Sequence, residues 1–386
     1  MRPLTTCHRC RGLIAQSRQA SSSAPAAQAA RLSRKSVLEI SGPDTQKFLK
    51  GLTCKDVEPI QGGYSGFLNA SGRVLHDVFI FPVQPDRYLI THESPPNHPA
   101  PLQKYLQPFK LRSKVRFKDV SAEWDAWGMW GVEAGSKPER KWKAGSLGAA
   151  EASWSWPDGI ADLGLRSQEV GCWDLRAGVD GLGQQILVPA GSEPLGTISS
   201  ESDYHLNRMR LGIPEGPQEL VSEAALPMES CMDVHGGVDF RKGCYVGQEL
   251  TVRTYHTGAT RKRILPISLF PLRSDSALPA DLSPGEALTP GTFGEVTYHP
   301  PASSSTKKPK SAGKILSLHD TYGSVGLGLL RLEMVERTWW NQAPCASVDE
   351  WLNGGSARLT TVMSGTEYGV YVGKAEAYAA SLGIDP

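Results

Sequence analysis

No apolar run in this 386-residue chain approaches the roughly 18–20 residues that a membrane-spanning helix needs, so no membrane partner is expected. Cysteine is sparse. The seven present (Cys7, Cys10, Cys54, Cys172, Cys231, Cys244 and Cys345) are too scattered for a disulfide framework. Cys7 and Cys10 form a C-x-x-C without the second pair that a zinc site needs. No P-loop or G-x-S-x-G is present, and Gly178-Val179-Asp180-Gly181-Leu182-Gly183 does not fit the dinucleotide fingerprint. His92-Glu93 is followed by Pro95-Pro96, which breaks the helix that a zinc protease motif requires. The simple motif catalogue is empty.

Acid is missing from one place in particular. Residues 1–35 carry Arg2, Arg9, Arg11, Arg18, Arg31, Arg34 and Lys35 but no Asp or Glu, and residues 17–30 are rich in Ser, Ala and Gln. That composition is the one expected of a mitochondrial transit peptide, removed or disordered in the working protein. Deleting 1–35 is accordingly expected to leave a folded chain. The whole chain has 41 basic and 40 acidic side chains; without the seven leading cations it has 34 against 40. A mildly acidic body makes nucleic acid an unfavourable partner.

Hydrophobic residues make up 40%, with 40 Gly and 28 Pro, a composition that favours strands and loops over a helical bundle. Val37 to Ile40 reads as a strand, and Ser41-Gly42-Pro43-Asp44 opens a helix with Phe48, Leu49 and Leu52 on one face. Gly66-Phe67-Leu68, the turn Asn69-Ala70-Ser71-Gly72-Arg73 and the run Val74 to Phe81 read as strand, turn and strand. A helix over Leu102 to Phe109 precedes a strand from Lys114 to Val120. Together these predict an α+β module. Six of the 10 Trp lie between Trp124 and Trp156, as an aromatic ligand platform or, as large aromatics more often are, in a domain core. A helix from Asp203 stops at Gly212-Ile213-Pro214. From Lys262 onward, short strands with Pro- and Gly-rich turns predict a small β-barrel or sandwich, interrupted by a low-complexity insertion over 300–312. The expected organisation is thus 1–35 transit peptide, 36–258 α+β region and 259–386 barrel.

One segment concentrates chemistry: Gly237-Val238-Asp239-Phe240-Arg241-Lys242-Gly243-Cys244-Tyr245-Val246-Gly247-Gln248-Glu249. Gly243 and Gly247 bracket a Cys and a Tyr, and a helix beginning near Leu250 would put Cys244 by its positive end. Arg241 and Lys242 would favour thiolate, the surroundings of a reactive cysteine. A tight turn holding a buried Cys is the alternative.

Lys242 to Glu249 resembles the K-G-C-Y-x-G-Q-E motif of the YgfZ branch of the aminomethyltransferase (glycine-cleavage T-protein, GcvT) superfamily. The likeness extends through Leu211-Gly212-Ile213-Pro214-Glu215-Gly216, Leu226-Pro227-Met228-Glu229, Gly326-Leu327-Gly328-Leu329-Leu330-Arg331 and the segment Phe48 to Thr53, covering most of the chain beyond Ser36. The resemblance implies a folate-binding α+β fold with a C-terminal barrel around a central cavity. With a transit peptide it implies a mitochondrial-matrix assembly factor for [4Fe–4S] proteins that acts with A-type scaffold proteins. In that reading Cys244 is the functional thiol and Lys242 tunes it. Gly243, Tyr245, Gly247, Gln248 and Glu249 shape the loop, and a [2Fe–2S] or [4Fe–4S] cluster passes through transiently. No resident cluster or metal is expected, because a stable cluster takes four ligands, mostly cysteine, and the motif supplies one. Asn69 and Asp77 are the folate-contact candidates, with tetrahydrofolate as the possible cofactor. Relatives that transfer aminomethyl groups carry two acids where this chain has His76-Asp77. An aminomethyltransferase and a non-catalytic scaffold are the rival functions.

Overall fold

The computed structural model describes residues 27–57, 62–133, 135–273, 278–285, 287–288, 294–304, 308–340 and 347–383. Its architecture is α+β. One five-stranded antiparallel sheet has the order Gly63–Leu68, Val74–Gln84, Arg87–His92, Ser36–Ser41, Arg116–Asp119. A second has the order Val170–Trp173, Gln184–Pro189, Trp124–Trp130, Gln28–Arg31, Thr197–Ile198. Both faces of the strand Val74–Gln84 are covered, which explains its unbroken apolar run. Alternate side chains of a strand point to opposite faces. Val78 and Ile80 therefore pack with Phe48 and Leu49 of the helix Thr45–Lys50, while Phe79 and Phe81 pack towards Cys172 and Tyr204 of the second sheet and its helix.

The C-terminal strands close a six-stranded antiparallel barrel: Lys262–Pro271, Val325–Arg331, Lys310–Leu318, Glu295–His299, Arg358–Met363 and Thr366–Val372. Lys310 already belongs to a barrel strand and Ala312 is fully buried in the barrel core. The expected insertion therefore ends before residue 310; residues 305–307 lie outside the described residues.

The N-terminal boundary also moves. Gln28–Arg31 is an inner strand, antiparallel to Trp124–Trp130 and parallel to Thr197–Ile198. Ala29, Ala30 and Leu32 are buried, and Lys35 sits in a buried ion cluster 3.0 Å from Glu93. Residues 27–35 are part of the fold rather than of a detachable leader, because Ala29-Ala30 and Leu32 fit the pleat despite the segment's basic composition. Residues 1–26, with Cys7 and Cys10, lie outside the described residues, as does Cys345.

The departure at His76 has a structural consequence. His76, His92 and His98 are all buried, with the His76 ring stacked on His98 at 4.3 Å and edge-on to His92 at 6.0 Å. Burial pushes His76 down to about 3 and His92 to about 4. An unfolded histidine takes up its proton near pH 6.5, whereas these cannot until far lower. Their stabilisation is therefore complete above 6.5 and drains away as pH falls towards the folded values. At pH 5 each should cost about 2 kcal/mol. Urea midpoints measured from pH 7 to 5 should fall, and a His76→Gln/His92→Gln chain should flatten the slope. An equal slope in that variant would rule the histidines out.

Candidate functional site

The loop around Cys244 is fastened at each end. The helix expected near Leu250 starts earlier and spans Gln248–Thr257, led by Gly247 in the left-handed conformation at φ +78°. A Cβ at Gly247 would collide with the Asn69 carbonyl, so the glycine is required both by its backbone angle and by close approach to the Asn69 turn. Gln248 folds back, its Oε1 accepting from the Tyr245 N–H at 3.2 Å. The Val246 N–H donates to the Gly51 carbonyl at 3.1 Å, joining the loop to the end of the helix Thr45–Lys50. Tyr245 is buried in the main core; Gly243, Cys244 and Glu249 are exposed. Nothing crowds Gly243, where a Cβ would meet open space.

Lys242 is the other fastening. Its Nζ donates to the carbonyls of Lys50 at 2.7 Å, Thr53 at 2.6 Å and Lys55 at 3.2 Å, and lies 4.9 Å over the Tyr245 ring. Burial pushes this amine down to about 8. An ammonium at the carbonyl end of a helix is favourably placed, and here it stitches the loop to residues 50–55. Its geometry is that of a positioning residue.

Among the described cysteines, Cys54, Cys172 and Cys231 are buried and Cys244 is exposed. Burial raises the Cys54 thiol to about 12 and raises Cys172 and Cys231 as well. Cys231, the nearest in sequence, is in the barrel-side core with its Sγ on the Ile264 carbonyl at 3.4 Å. It cannot fold back to join Cys244.

The two folate-contact candidates are engaged elsewhere. Asn69 Oδ1 accepts from the N–H groups of Ser71 and Arg73 at 3.1 and 2.9 Å and from the Ser71 hydroxyl at 2.8 Å, holding its own turn. Asp77 is buried, accepts from the Gly216 N–H at 3.1 Å and lies 3.9 Å from Lys35, which also faces Glu93 and Glu215. Burial raises the Asp77 carboxyl. Neither lines the cavity that lies behind the Cys244 loop.

That cavity, of about 250 Å³, is walled by residues 55–57, 62–65, 151–154, Trp156, Trp173, His235, Val238, Asp239 and Arg241. Its lining residues include four with buried polar atoms that have no hydrogen-bond partner among the described residues: Tyr64 Oη, both His235 ring nitrogens, Trp154 Nε1 and Glu151 Oε2. Burial, with the nearby arginines Arg176, Arg263 and Arg140, holds His235 well below the usual histidine range and therefore neutral. Unpaired buried groups are costly, about 1–3 kcal/mol each, so their side chains gain from an occupant that offers donors and acceptors in plane. Polar and aromatic side chains of these types are compatible with a pterin-like ring. The site comes from Tyr64, Glu151, Trp154 and His235, which sequence reasoning missed apart from the Trp-rich stretch. That stretch divides: Trp127 is in the core of the second sheet, while Trp154 and Trp156 line the cavity.

A scan against protein-family models found no match. A curated relative from Cryptococcus neoformans, named iron-sulfur cluster assembly factor IBA57 homolog, mitochondrial, is 61% identical over 365 residues, covering 92% of this chain and 96% of the relative. The chain belongs to that family of mitochondrial iron–sulfur cluster assembly factors. Relatives of the same name from Coccidioides immitis and Neurospora crassa are 35% and 37% identical, covering 86% and 80% of this chain and 80% and 70% of their own. In fold, the family member described here resembles the glycine cleavage system aminomethyltransferase T of Bartonella henselae, with a TM-score of 0.56 and 11% identity over 92% of this chain and 86% of that one. The expected aminomethyltransferase-like α+β fold with its C-terminal barrel is the fold observed.

Proposed function

We propose that this chain matures [4Fe–4S] proteins in the mitochondrial matrix, with Cys244 as the thiol that meets the cluster and an A-type scaffold protein as partner. The observation that carries the reading is the presentation of Cys244: an exposed thiol on a loop fastened by Lys242 and Gly247, while the other described cysteines are buried. One thiol supplies one of about four cluster ligands. The cluster is therefore cargo shared with a partner that brings the remaining ligands. Gly243 leaves the approach to Cys244 open, and Lys242 and Gln248 hold the loop's shape.

Tetrahydrofolate, a carrier of one-carbon groups, would be held in the cavity by Glu151, Trp154, His235 and Tyr64. Asp77, committed to Lys35 and Gly216, is poorly disposed to serve an aminomethyl transfer, so we rank the transferase below the assembly factor. A purely structural role for the loop is the other alternative.

Serine differs from cysteine by one atom but is a far poorer ligand for soft metals. Because Cys244 is exposed, Cys244→Ser should change stability by less than about 0.5 kcal/mol. In cells lacking the native protein it should restore little activity to mitochondrial [4Fe–4S] enzymes, while [2Fe–2S] enzymes serve as the control. Full rescue by Cys244→Ser would overturn the thiol assignment and leave the structural role.

A further inference from the structure

The cavity and the Cys244 loop share a wall. Residues 53–57 contribute the Lys55, Asp56 and Val57 side chains to the cavity, while the carbonyls of Thr53 and Lys55 hold the Lys242 ammonium. On the opposing segment, Asp239 and Arg241 line the cavity. The Asp239 N–H donates to the Cys54 carbonyl at 3.1 Å, and its carboxylate accepts from the Arg241 N–H at 2.8 Å. Cys244 thus follows directly on a chain segment that is both cavity wall and loop anchor.

The wall contains groups that an occupant would draw on. Lys55, whose pKa burial lowers, has no side-chain hydrogen bond or ion pair among the described residues. Arg241 is exposed and lies 3.5 Å from Glu151, a carboxylate whose second oxygen has no partner among the described residues. A heterocycle donating to Glu151 would compete with that ion pair, and an anionic tail would engage Arg241 and Lys55. Both changes act on Arg241, three positions from Cys244, or on Lys55, whose carbonyl anchors Lys242.

We propose that occupancy of this cavity by a planar N-heterocycle with an anionic tail restrains the Cys244 loop, so that presentation of the thiol depends on the ligand. This rests on the reading of Cys244 as the working thiol. The coupling is reciprocal by thermodynamic necessity: whatever the ligand does to the loop, a partner that fixes the loop does to ligand affinity.

The test uses the full chain and 5-formyltetrahydrofolate as probe. Binding is followed by tryptophan fluorescence, which Trp154, Trp156 and Trp173 should report. Iodoacetamide alkylation of the Cys244 peptide is timed by mass spectrometry. Saturating probe should slow that alkylation about fivefold or more. Glu151→Gln and Trp154→Phe should each weaken binding about tenfold, having lost one buried hydrogen bond, and should raise the probe concentration needed to slow alkylation by the same factor. Lys242→Met should bind the probe within about twofold of wild type, yet its alkylation should no longer respond to the probe. No binding at millimolar probe would overturn the ligand site. Binding with unchanged Cys244 alkylation would overturn the coupling, and a full response in Lys242→Met would overturn its route. Normal enzyme maturation by Cys244→Ser beside an intact alkylation response would sink the assembly reading and leave the coupling standing.

Discussion

A chain that begins at Ser36 should fail to fold, whereas one that begins at Ala27 should match the full-length protein in stability. The strand Gln28–Arg31 is hydrogen-bonded on both sides. Its removal unpairs the edges of Trp124–Trp130 and Thr197–Ile198 and uncovers the pocket that holds Ala29, Ala30 and Leu32. The loss of Lys35 adds an electrostatic term. Glu93, Asp77 and Glu215 converge on its buried ammonium at 3.0, 3.9 and 3.8 Å, and removing the cation from such a group typically costs about 3–5 kcal/mol. Whole domains are stable by only about 5–15 kcal/mol, so the sum reaches the protein's margin. Far-UV circular dichroism and urea titration of the 27–386 and 36–386 chains would measure it. Equal midpoints would show that the strand is dispensable. A transit cleavage compatible with this fold falls ahead of Ala27.

Arg176→Met should produce the second large loss. Arg176 is completely buried, and methionine is an uncharged side chain that matches its aliphatic stem. Its Nε donates to Asp174 at 2.9 Å, one terminal nitrogen reaches Asp174 and Glu215 at 2.6 Å each, and the guanidinium lies 5.0 Å over Tyr64 and 4.8 Å over Phe79. Methionine keeps the packing of the aliphatic stem but leaves two carboxylates buried without their cation, at about 3–5 kcal/mol. The pH dependence identifies the cause. Arg176, Lys35 and Arg208 hold Glu215 well below the usual carboxylate range. In the wild type its stabilisation is complete above the unfolded value, about 4.3, and is lost as pH falls towards the folded one. In the variant Glu215 can take a proton, so the gap between the two proteins should narrow as pH drops from 7 to below about 5. A gap independent of pH would assign the loss to packing instead.

How much of this was legible in the chain depends on how far apart the participating residues lie. The strand–turn–strand around Asn69, the helix at Thr45–Lys50 and the strand-rich C-terminus follow from local patterns, because periodicity and turn chemistry act over a few residues. The Cys244 loop was legible for the same reason: eight contiguous residues carry it. The identity of its glycines was only half readable. Gly247 answers to the Asn69 carbonyl, 178 positions away in the chain, while Gly243 answers to no described neighbour. Lys242 could be identified as a cation beside Cys244, but only folding delivers the carbonyls of Lys50, Thr53 and Lys55 that fix its ammonium.

The sequence by itself determined the composition-driven exclusions, the α+β character, the strand-rich C-terminal domain and the cysteine motif, while the exposure of its thiol came from the structure. The tertiary structure decided what each charge and aromatic ring is for. Gln28–Arg31 reads as leader by composition and becomes an inner strand because its alanines fit between two other strands. Asp77 reads as a ligand contact and becomes one corner of a buried ion cluster, since Lys35 and Gly216 reach it from 42 residues before and 139 after. The cavity draws Tyr64, Glu151, Trp154 and His235 from three distant segments. A local pattern carries no information about such a gathering, because packing, rather than spacing along the chain, sets which polar groups are buried together.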